Sequence, residues 1–224
     1  SQNYINVFDP TTKFMRGRFR NTWFAPFDPY EVNFNYTEAN SWQYSFYVPH
    51  DITGFMNLLG GKDQLEKQLD DLFIADDKTS GREQADITGL IGQYAHGNEP
   101  SHHMAYLYNF VNKPYKTQEK TRQILTELYT NSPDGISGNE DCGQMSAWYI
   151  FSSLGFYPVT PGSNQYIIGS PLFDKATIHL EGGKLFTVEA KNNSLENKYI
   201  KNVQLNNKAY PCLLYTSDAA DEED

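Results

Sequence analysis

The sequence predicts an α+β chain in which helices of an α/α barrel precede the strands of a β-sandwich. Apolar residues recur at helical spacing in several segments before about residue 155. Beyond Pro158 the pattern changes to short, alternating, β-branched segments. Three polar motifs lie in the loops of the helical part. We therefore expect part of a barrel domain over 1–158 and part of a β-sandwich over 159–211.

Composition excludes several classes of protein. With 39% apolar and 21% charged residues, the chain has the composition of a folded protein. A net charge of −10 without a basic stripe argues against a nucleic-acid partner. No window approaches the roughly 20 apolar residues of a membrane span. A signal peptide is also missing, and because Ser1 is not an initiator residue we expect the chain to belong to a longer one. The oligomeric state is not readable from the sequence.

The first 35 residues form no regular pattern. They are rich in Asn, Pro, Phe and Tyr, and repeated prolines interrupt any helix or strand. Loops longer than about 15 residues in compact proteins are usually functional or disordered. The many aromatic rings favour an ordered, functional loop.

Four helices are predicted after this loop. The first spans about 62–74, and the second runs from Pro100 to Asn112. Thr117 is expected to cap the third, and the fourth ends at Gly155. The strands that follow are expected at 166–168, 176–180, 185–188 and 199–203. Gly182-Gly183 predicts a hairpin between two of them.

The final residues do not resemble the rest of the chain. Cys212–Asp224 resembles a sequencing adapter translated in one reading frame, with a natural acidic tail as the alternative. We exclude it from fold reasoning. Its removal takes away five of the ten net negative charges and leaves Cys142 as the only cysteine, so no disulfide is expected.

Three polar clusters precede predicted helices. They span Tyr36–Tyr44, His96–His103 and Ser137–Gln144. Each places a carboxylate at an expected helix N-terminus, where the helix dipole stabilises anions. Helix capping is the structural alternative for each of them.

Two carboxylates in different environments are the requirement for cleaving a glycosidic bond. One must be protonated to protonate the leaving oxygen, and the other ionised to activate water. Glu38, flanked by Tyr36, Trp42 and Tyr44, is the better candidate acid. Asp141, in a turn rich in Gly and Asn, is the better candidate base.

The motifs also contain possible metal ligands. The three histidines of the second cluster lack the spacing of a zinc site. Oxygen-bearing side chains such as those of Asn40, Glu99 and Asp141 suit a hard cation, Ca²⁺, although no EF-hand loop is present.

Taken together, the motifs resemble those of glycoside hydrolase family 92. They are Glu38–Gln43, Gly97–His103 and Gly138–Trp148, followed in order by Leu154–Pro158. The resemblance implies an (α/α)₆ barrel packed against a β-sandwich. It also implies Ca²⁺-assisted, inverting, exo-acting hydrolysis of α-mannoside glycans by a protein exported to the periplasm or cell surface.

The resemblance further implies roles for individual residues. Glu38 matches the general acid and Asp141 the general base, and Asn139 stands where many members carry an acidic residue. Asp141 is therefore expected to act alone or with Asn139 orienting the water.

Other positions match the part of the family's site that binds the sugar. Asn98 and Glu99 match a loop that contacts the substrate, with Trp42 and His102 as further candidate contacts. Asn40 and Glu99 are the candidate calcium ligands. Members that act on α-1,2 linkages often carry His where this chain has Asn98, so the linkage stays open.

Two alternatives belong to other classes of protein. One is a carbohydrate-binding protein that has lost catalysis, and the other is an α/α-barrel enzyme with a different substrate. The joint presence of Glu38, Asp141 and all three motifs favours the mannosidase. We expect the 224-residue chain alone to be inactive and poorly soluble, because half a barrel exposes apolar helix faces.

Overall fold

A computed structural model describes residues 2–210 and the backbone of 214–216. The described residues form two compact units. One comprises the residues up to Met104 together with Asn131–Asp141, and the other comprises Ala105–Thr130 and the residues from Cys142 onward. The candidate acid Glu38 and the candidate base Asp141 thus belong to the same unit.

The first unit contains three α-helices: α1 (Ser41–Ser45), α2 (Ile52–Leu59) and α3 (Lys62–Ile74). The prediction of a helix over 62–74 is confirmed. Its apolar face includes Leu65, Leu69 and Leu72, all fully buried, at the spacing that places them on one side of the helix.

No bounds were predicted for helices α1 and α2, although the first motif was expected to lie at the start of a helix. They have five and eight residues, too few to show a helical period in the sequence. Capping signals mark them instead. The Asp51 carboxylate accepts a hydrogen bond from the Gly54 N–H at 2.9 Å, and left-handed Gly60 ends α2.

The strands of the first unit have two residues each. The antiparallel pairs are β1 (Phe8–Asp9) with β2 (Phe14–Met15), β3 (Arg18–Phe19) with β4 (Thr22–Trp23), and β7 (Leu90–Ile91) with β8 (Tyr94–Ala95). The parallel pair is β5 (Glu31–Val32) with β6 (Ser80–Gly81). Apart from these and a 3₁₀ helix at Asn3–Val7, the segment before residue 36 is an ordered loop.

Two helix predictions need correction. The expected helix from Pro100 to Asn112 is instead two 3₁₀ helices, Glu99–Ser101 and Met104–Val111, separated at His102 and His103. Helix α4 spans Pro114–Glu127, so Thr117 is not its cap but a buried residue near its start. Proline is favoured at the first helical position because its missing N–H has no helical partner there.

The fourth predicted helix is confirmed. Helix α5 spans Gln144–Leu154 and ends at left-handed Gly155. Trp148, fully buried, anchors it in the second unit, where its ring stacks on that of Tyr129.

The second unit carries the remaining strands. β9 (Phe156–Tyr157), β10 (Gln165–Ile168) and β15 (Leu214–Thr216) form an antiparallel sheet with β10 in the centre. The two hairpins are β11 (Lys175–His179) with β12 (Leu185–Glu189), and β13 (Val203–Leu205) with β14 (Lys208–Tyr210). The hairpin predicted at Gly182-Gly183 is confirmed, and its turn is a 3₁₀ helix at Glu181–Gly183.

One predicted strand was wrong. The segment expected at 199–203 becomes a strand only at Val203. Before that point, the N–H of Ile200 donates to Gln118 Oε1 at 3.0 Å. The backbone therefore pairs with a helix side chain where a strand partner was expected.

The larger architecture stays a prediction. Each described sheet has two or three strands, so the (α/α)₆ barrel, the β-sandwich and the boundary after 158 go beyond what is described. The predicted adapter-derived tail, Cys212–Asp224, lies outside the described residues except for the backbone of β15. Within 2–210 and 214–216, no helix combines the length and apolar character needed to cross a membrane.

Candidate active site

Glu38 is half-buried in the first unit, two residues before the N-cap of α1. Its Oε2 accepts a hydrogen bond from Asn98 Nδ2 at 2.7 Å and a longer one from the Tyr44 hydroxyl at 3.4 Å. Asn98 is itself buried. The first and second sequence motifs therefore meet at the candidate acid.

Tyr44 acts as a donor toward this carboxyl group. Burial raises the pKa of Tyr44 to about 12, and the negative charge of Glu38 contributes in the same direction. The phenol therefore keeps its proton through neutral pH, so its hydroxyl can donate to Glu38 whenever that carboxyl is ionised.

The residue after Glu38 has an unusual backbone conformation. Ala39 is left-handed, with φ of 55°, and fully buried. Its N–H donates to Gln84 Oε1 at 2.6 Å. This conformation costs about 1–2 kcal/mol for a residue with a Cβ, and such strain concentrates at functional sites. It fixes the direction in which the chain leaves Glu38.

The third motif approaches the second through two glycines. A Cβ on Gly138, where φ is 74°, would lie 2.7 Å from Thr88 Oγ1 and 3.3 Å from the carbonyl oxygen of Gly97. A Cβ on Gly97 would lie 3.1 Å from the Ser137 carbonyl oxygen. Only glycine allows this close approach, which places the turn carrying Asp141 beside the residue that precedes Asn98.

Asp141 lies in a strained, solvent-exposed turn. Its φ is 51°, and Cys142 and Gly143 continue in the left-handed region. Within the described part of the chain, the Asp141 carboxylate has no hydrogen-bond or ion-pair partner, and Asn139 is also exposed. Asp141 therefore lies in a more solvated environment than half-buried Glu38, as expected for a base paired with a less solvated acid.

The expectation that all three carboxylates lie at helix N-termini was wrong for two of them. Glu99 is the first residue of a 3₁₀ helix. Glu38 and Asp141 each precede their helix by three residues, and neither α1 nor α5 has an acidic residue in its first turn. Because the helix dipole acts only within the first turn, it does not contribute to the electrostatic environment of Glu38 or Asp141.

Asn40 serves as a helix cap. Its Oδ1 accepts from the Gln43 N–H at 3.3 Å, and its Nδ2 donates to Gln93 Oε1 at 2.8 Å. Both polar atoms of this fully buried amide thus have protein partners. Capping, the structural alternative considered for this motif, accounts for Asn40.

The residues present fit a calcium ion only in part. Glu99 is half-buried and its carboxylate makes no hydrogen bond within the described residues. Over the same residues, no group of three or more His, Cys, Asp or Glu side chains could hold a metal. Asn40 and Glu99 as calcium ligands therefore stay a prediction.

The two other candidate substrate contacts occupy buried positions. Trp42 is 8% exposed and packs edge-to-face on Phe14 at 4.7 Å between ring centroids. His102 is 2% exposed, and its Nε2–H donates to the His96 carbonyl at 2.9 Å. Both side chains are buried against other parts of the protein, and their contact with substrate stays a prediction.

The histidines of the second motif each have a separate partner. His103 Nε2 donates to the Phe46 carbonyl at 2.7 Å, and His96 Nδ1 lies 2.7 Å from the Tyr94 hydroxyl. Burial lowers the pKa of His102 and of His103 to about 4, and it lowers the pKa of His96 well below its usual value. All three rings are therefore neutral at physiological pH.

Sequence reasoning missed the residues that hold the motifs together. Gln84 binds the backbone after Glu38, Gln93 binds Asn40, and Thr88 lies against both motif glycines. Each is an isolated polar residue with no motif around it. Only their long-range contacts identify them.

Comparison with known proteins identifies the family of the chain. A family model described as the glycosyl hydrolase family 92 catalytic domain matches residues 1–222. A family 92 α-mannosidase from Bacteroides thetaiotaomicron, solved with mannoimidazole, is 43% identical with a TM-score of 0.89, and 96% of this chain covers 29% of it. An inverting family 92 mannosidase from the same organism is 37% identical with a TM-score of 0.82, and 97% of this chain covers 31% of it.

A curated relative agrees with the structural matches. An uncharacterized secreted glycosidase from Arthroderma benhamiae is 31% identical over 176 residues, which are 77% of this chain and 21% of that protein. The chain thus spans less than a third of each of these relatives. The match to the family model over nearly its full length shows that the chain belongs to glycosyl hydrolase family 92.

Proposed function

We propose that the complete protein removes terminal α-linked mannose from glycans, with Glu38 as general acid and Asp141 as general base. The observation that carries the proposal is the convergence of three separate motifs. Glu38 is bound by Asn98, and the turn that leads to Asp141 packs against Gly97, the neighbour of Asn98. The mannosidase names of the solved relatives supply the substrate class.

The chemistry follows from the different environments of the two carboxyl groups. Glu38 gives its proton to the glycosidic oxygen as the bond to the anomeric carbon breaks. Asp141, assisted by Asn139, accepts a proton from the water that attacks the opposite face of the sugar. The released sugar is β-mannose, the inverted anomer, and the two carboxyl groups exchange their protonation states.

Calcium is part of the proposal for the complete protein. The ion would supply positive charge to the hydroxyls of the terminal mannose, with Glu99 the better placed of the two predicted ligands. Asn98 and Glu99 are proposed to contact the substrate, with Trp42 and His102 as further contacts. The secreted relative supports export of the complete protein.

The proposal is tested by incubating the complete protein with a panel of α-linked mannobiosides and following the product anomer by NMR. We expect chelator-sensitive release of β-mannose, and the panel identifies the linkage. Release of α-mannose would contradict the inverting mechanism. Binding without release would favour a carbohydrate-binding protein.

Substitutions assign the two roles. Glu38→Gln and Asp141→Asn should each lower kcat by roughly 10²–10⁴-fold. Glu38→Gln should recover much of its activity on a dinitrophenyl mannoside, whose leaving group needs no proton, whereas Asp141→Asn should not. Glu140→Gln, which changes the neighbouring carboxylate, is the matched control and should retain activity. Equal behaviour of the two variants on both substrates would refute the assignment.

A further inference from the structure

The hairpin formed by β3 and β4 presents aromatic rings and arginines at the surface. Phe19 is 64% exposed, and Phe24, directly after β4, is 46% exposed. The Arg20 guanidinium lies 5.3 Å from the Phe19 ring centroid, and that of Arg18 lies 4.7 Å from the Trp23 ring. Flat rings backed by guanidinium groups suit contact with sugar faces and hydroxyls.

The arginines of this hairpin carry charge that the described residues leave unneutralised. Arg18 is held by neutral acceptors, the carbonyls of Arg20 and Asn6 and the Asn21 side chain. Neither Arg18 nor Arg20 has a carboxylate partner within the described part of the chain. In a chain whose net charge is −10, these are uncompensated positive groups beside exposed rings.

The hairpin is joined to the candidate acid through a short series of contacts. Just before the hairpin, the Met15 carbonyl accepts hydrogen bonds from Tyr36 and from Ser41 of α1, each at 2.8 Å. The Tyr36 ring lies 6.1 Å from that of Tyr44, which donates to Glu38. At Gly17, a Cβ would lie 2.7 Å from the Asn35 side chain.

These contacts differ from those that position the base. The turn before Asp141 reaches Glu38 through Gly97 and Asn98, whereas the hairpin reaches it through Tyr36 and Tyr44. In an inverting glycosidase the acid lies on the side of the leaving group and the base on the opposite face of the sugar. A hairpin connected to the acid, and not to the turn of the base, is therefore better placed to meet the leaving group than the sugar that is released.

We propose that the β3–β4 hairpin binds the part of the glycan beyond the cleaved bond, through the rings of Phe19 and Trp23 and the guanidinium groups of Arg18 and Arg20. This surface rests on the proposed function, because it assigns the leaving-group side from Glu38. Its ligand is an oligosaccharide at least one residue longer than a mannobioside. Phosphorylated glycans bind more tightly than neutral ones if the arginines meet an anionic substituent.

The test compares two substrates of the complete protein that share one mannosidic bond, a mannobioside and a longer mannan oligosaccharide. Phe19→Ala and Arg20→Asn alter exposed side chains, and asparagine tolerates the left-handed backbone at position 20. Each should lower kcat/KM for the longer glycan by about five- to tenfold and leave the mannobioside unchanged. Lys198→Ala, which removes a cation stacked on Tyr199 in the other unit, is the matched control.

Binding measurements separate this proposal from the proposed function. Calorimetric titration of the Glu38→Gln protein, with and without a hairpin substitution, measures the affinity for neutral and phosphorylated oligosaccharides in the absence of turnover. Weaker binding of only the phosphorylated glycan by a hairpin variant supports the surface and identifies the contact as ionic. Equally weakened binding of both glycans supports it and identifies the contact as stacking. Unchanged binding and kinetics overturn it. Equal loss on short and long substrates, with a lower Tm, also overturns it and indicates that other parts of the protein cover the hairpin.

Discussion

At the scale of single residues, the candidate acid depends on one neutral donor. Asn98 Nδ2 lies 2.7 Å from Glu38 Oε2, whereas the Tyr44 hydroxyl lies at 3.4 Å, the length of a weak hydrogen bond. Asn98 is therefore the residue that holds the carboxyl group in place. The family resemblance alone implied only that it contacts substrate.

Replacing Asn98 should separate positioning of the acid from substrate binding. In the complete protein, Asn98→Ala removes the donor, and we expect kcat to fall by roughly 10–100-fold. The reason is that a mobile Glu38 is less often aligned with the leaving oxygen. On a dinitrophenyl mannoside, which needs no protonation, the loss should be much smaller.

The Tyr44→Phe variant is the matched control, because it removes the longer hydrogen bond and retains the ring. It should lower kcat by only a few-fold. A pure rise in KM for Asn98→Ala, with kcat unchanged, would show that Asn98 binds substrate and does not position Glu38.

At the scale of elements, short turns bring the site together. Gly97 and Gly138 allow the Ser137–Asp141 turn to contact the second motif. The fourth predicted helix, α5, was found in place, yet Asp141 lies before it in a left-handed turn. The helical periodicity of the apolar residues therefore predicted the helix, but it did not predict the backbone conformation of the candidate base.

Gly138→Ala tests this contact. Gly138 has φ of 74° and close neighbours, whereas Gly182 has φ of 75° and open space within 4 Å of the position that a Cβ would take. Both substitutions carry a similar strain of about 1–2 kcal/mol. Only Gly138→Ala should also displace the turn, and it should lower kcat/KM by at least about tenfold. Equal activities of the two variants would contradict the role assigned to this contact.

At the scale of the whole molecule, buried neutral histidines make stability depend on pH. The pKa of His102 and that of His103 are about 4 in the folded chain, below the value of about 6.5 in unfolded chains. The unfolded state therefore binds more protons between these values. The contribution of these two neutral histidines to stability is therefore fully present above about pH 6.5 and is lost as the pH falls toward 4.

We expect the Tm of the complete protein to fall steeply between pH 6.5 and pH 4. Each histidine should contribute roughly 3 kcal/mol to this loss. His103→Gln keeps a donor for the Phe46 carbonyl and removes one titrating group, so its Tm should depend less on pH. His179→Gln, at an exposed site, should melt with the pH dependence of the unmodified protein.

The surface of the chain predicts its behaviour in isolation. Several large apolar side chains are more than half exposed, among them Phe34 at 88%, Ile74 at 76%, Leu195 at 71% and Ile150 at 57%. Exposed apolar surface of this kind favours association. We expect the 224-residue chain to elute as oligomers or aggregates and to bind a hydrophobic dye. A monomer that melts cooperatively without dye binding would contradict this expectation.

The sequence by itself determined the longer elements and supplied the candidates for the acid and the base. Local periodicity predicts helices α3 and α5, and turn residues predict the hairpin around Gly182-Gly183. Both signals come from residues that are close together in the sequence. The pairing of Glu38 with Asp141 as acid and base candidates also came from local composition. The bounds of the short helix α1 were missed because a single capping residue marks it, and the start of α4 was missed because Pro114 at its first position is the only local signal.

Only the tertiary structure decided how the motifs meet. Three contacts join residues more than 40 positions apart in the sequence. They are those of Asn98 with Glu38, of Gln84 with the Ala39 backbone, and of Thr88 with Gly138. A side chain's hydrogen-bond partner depends on which distant backbone folds against it, and that information is absent from any local window of the sequence.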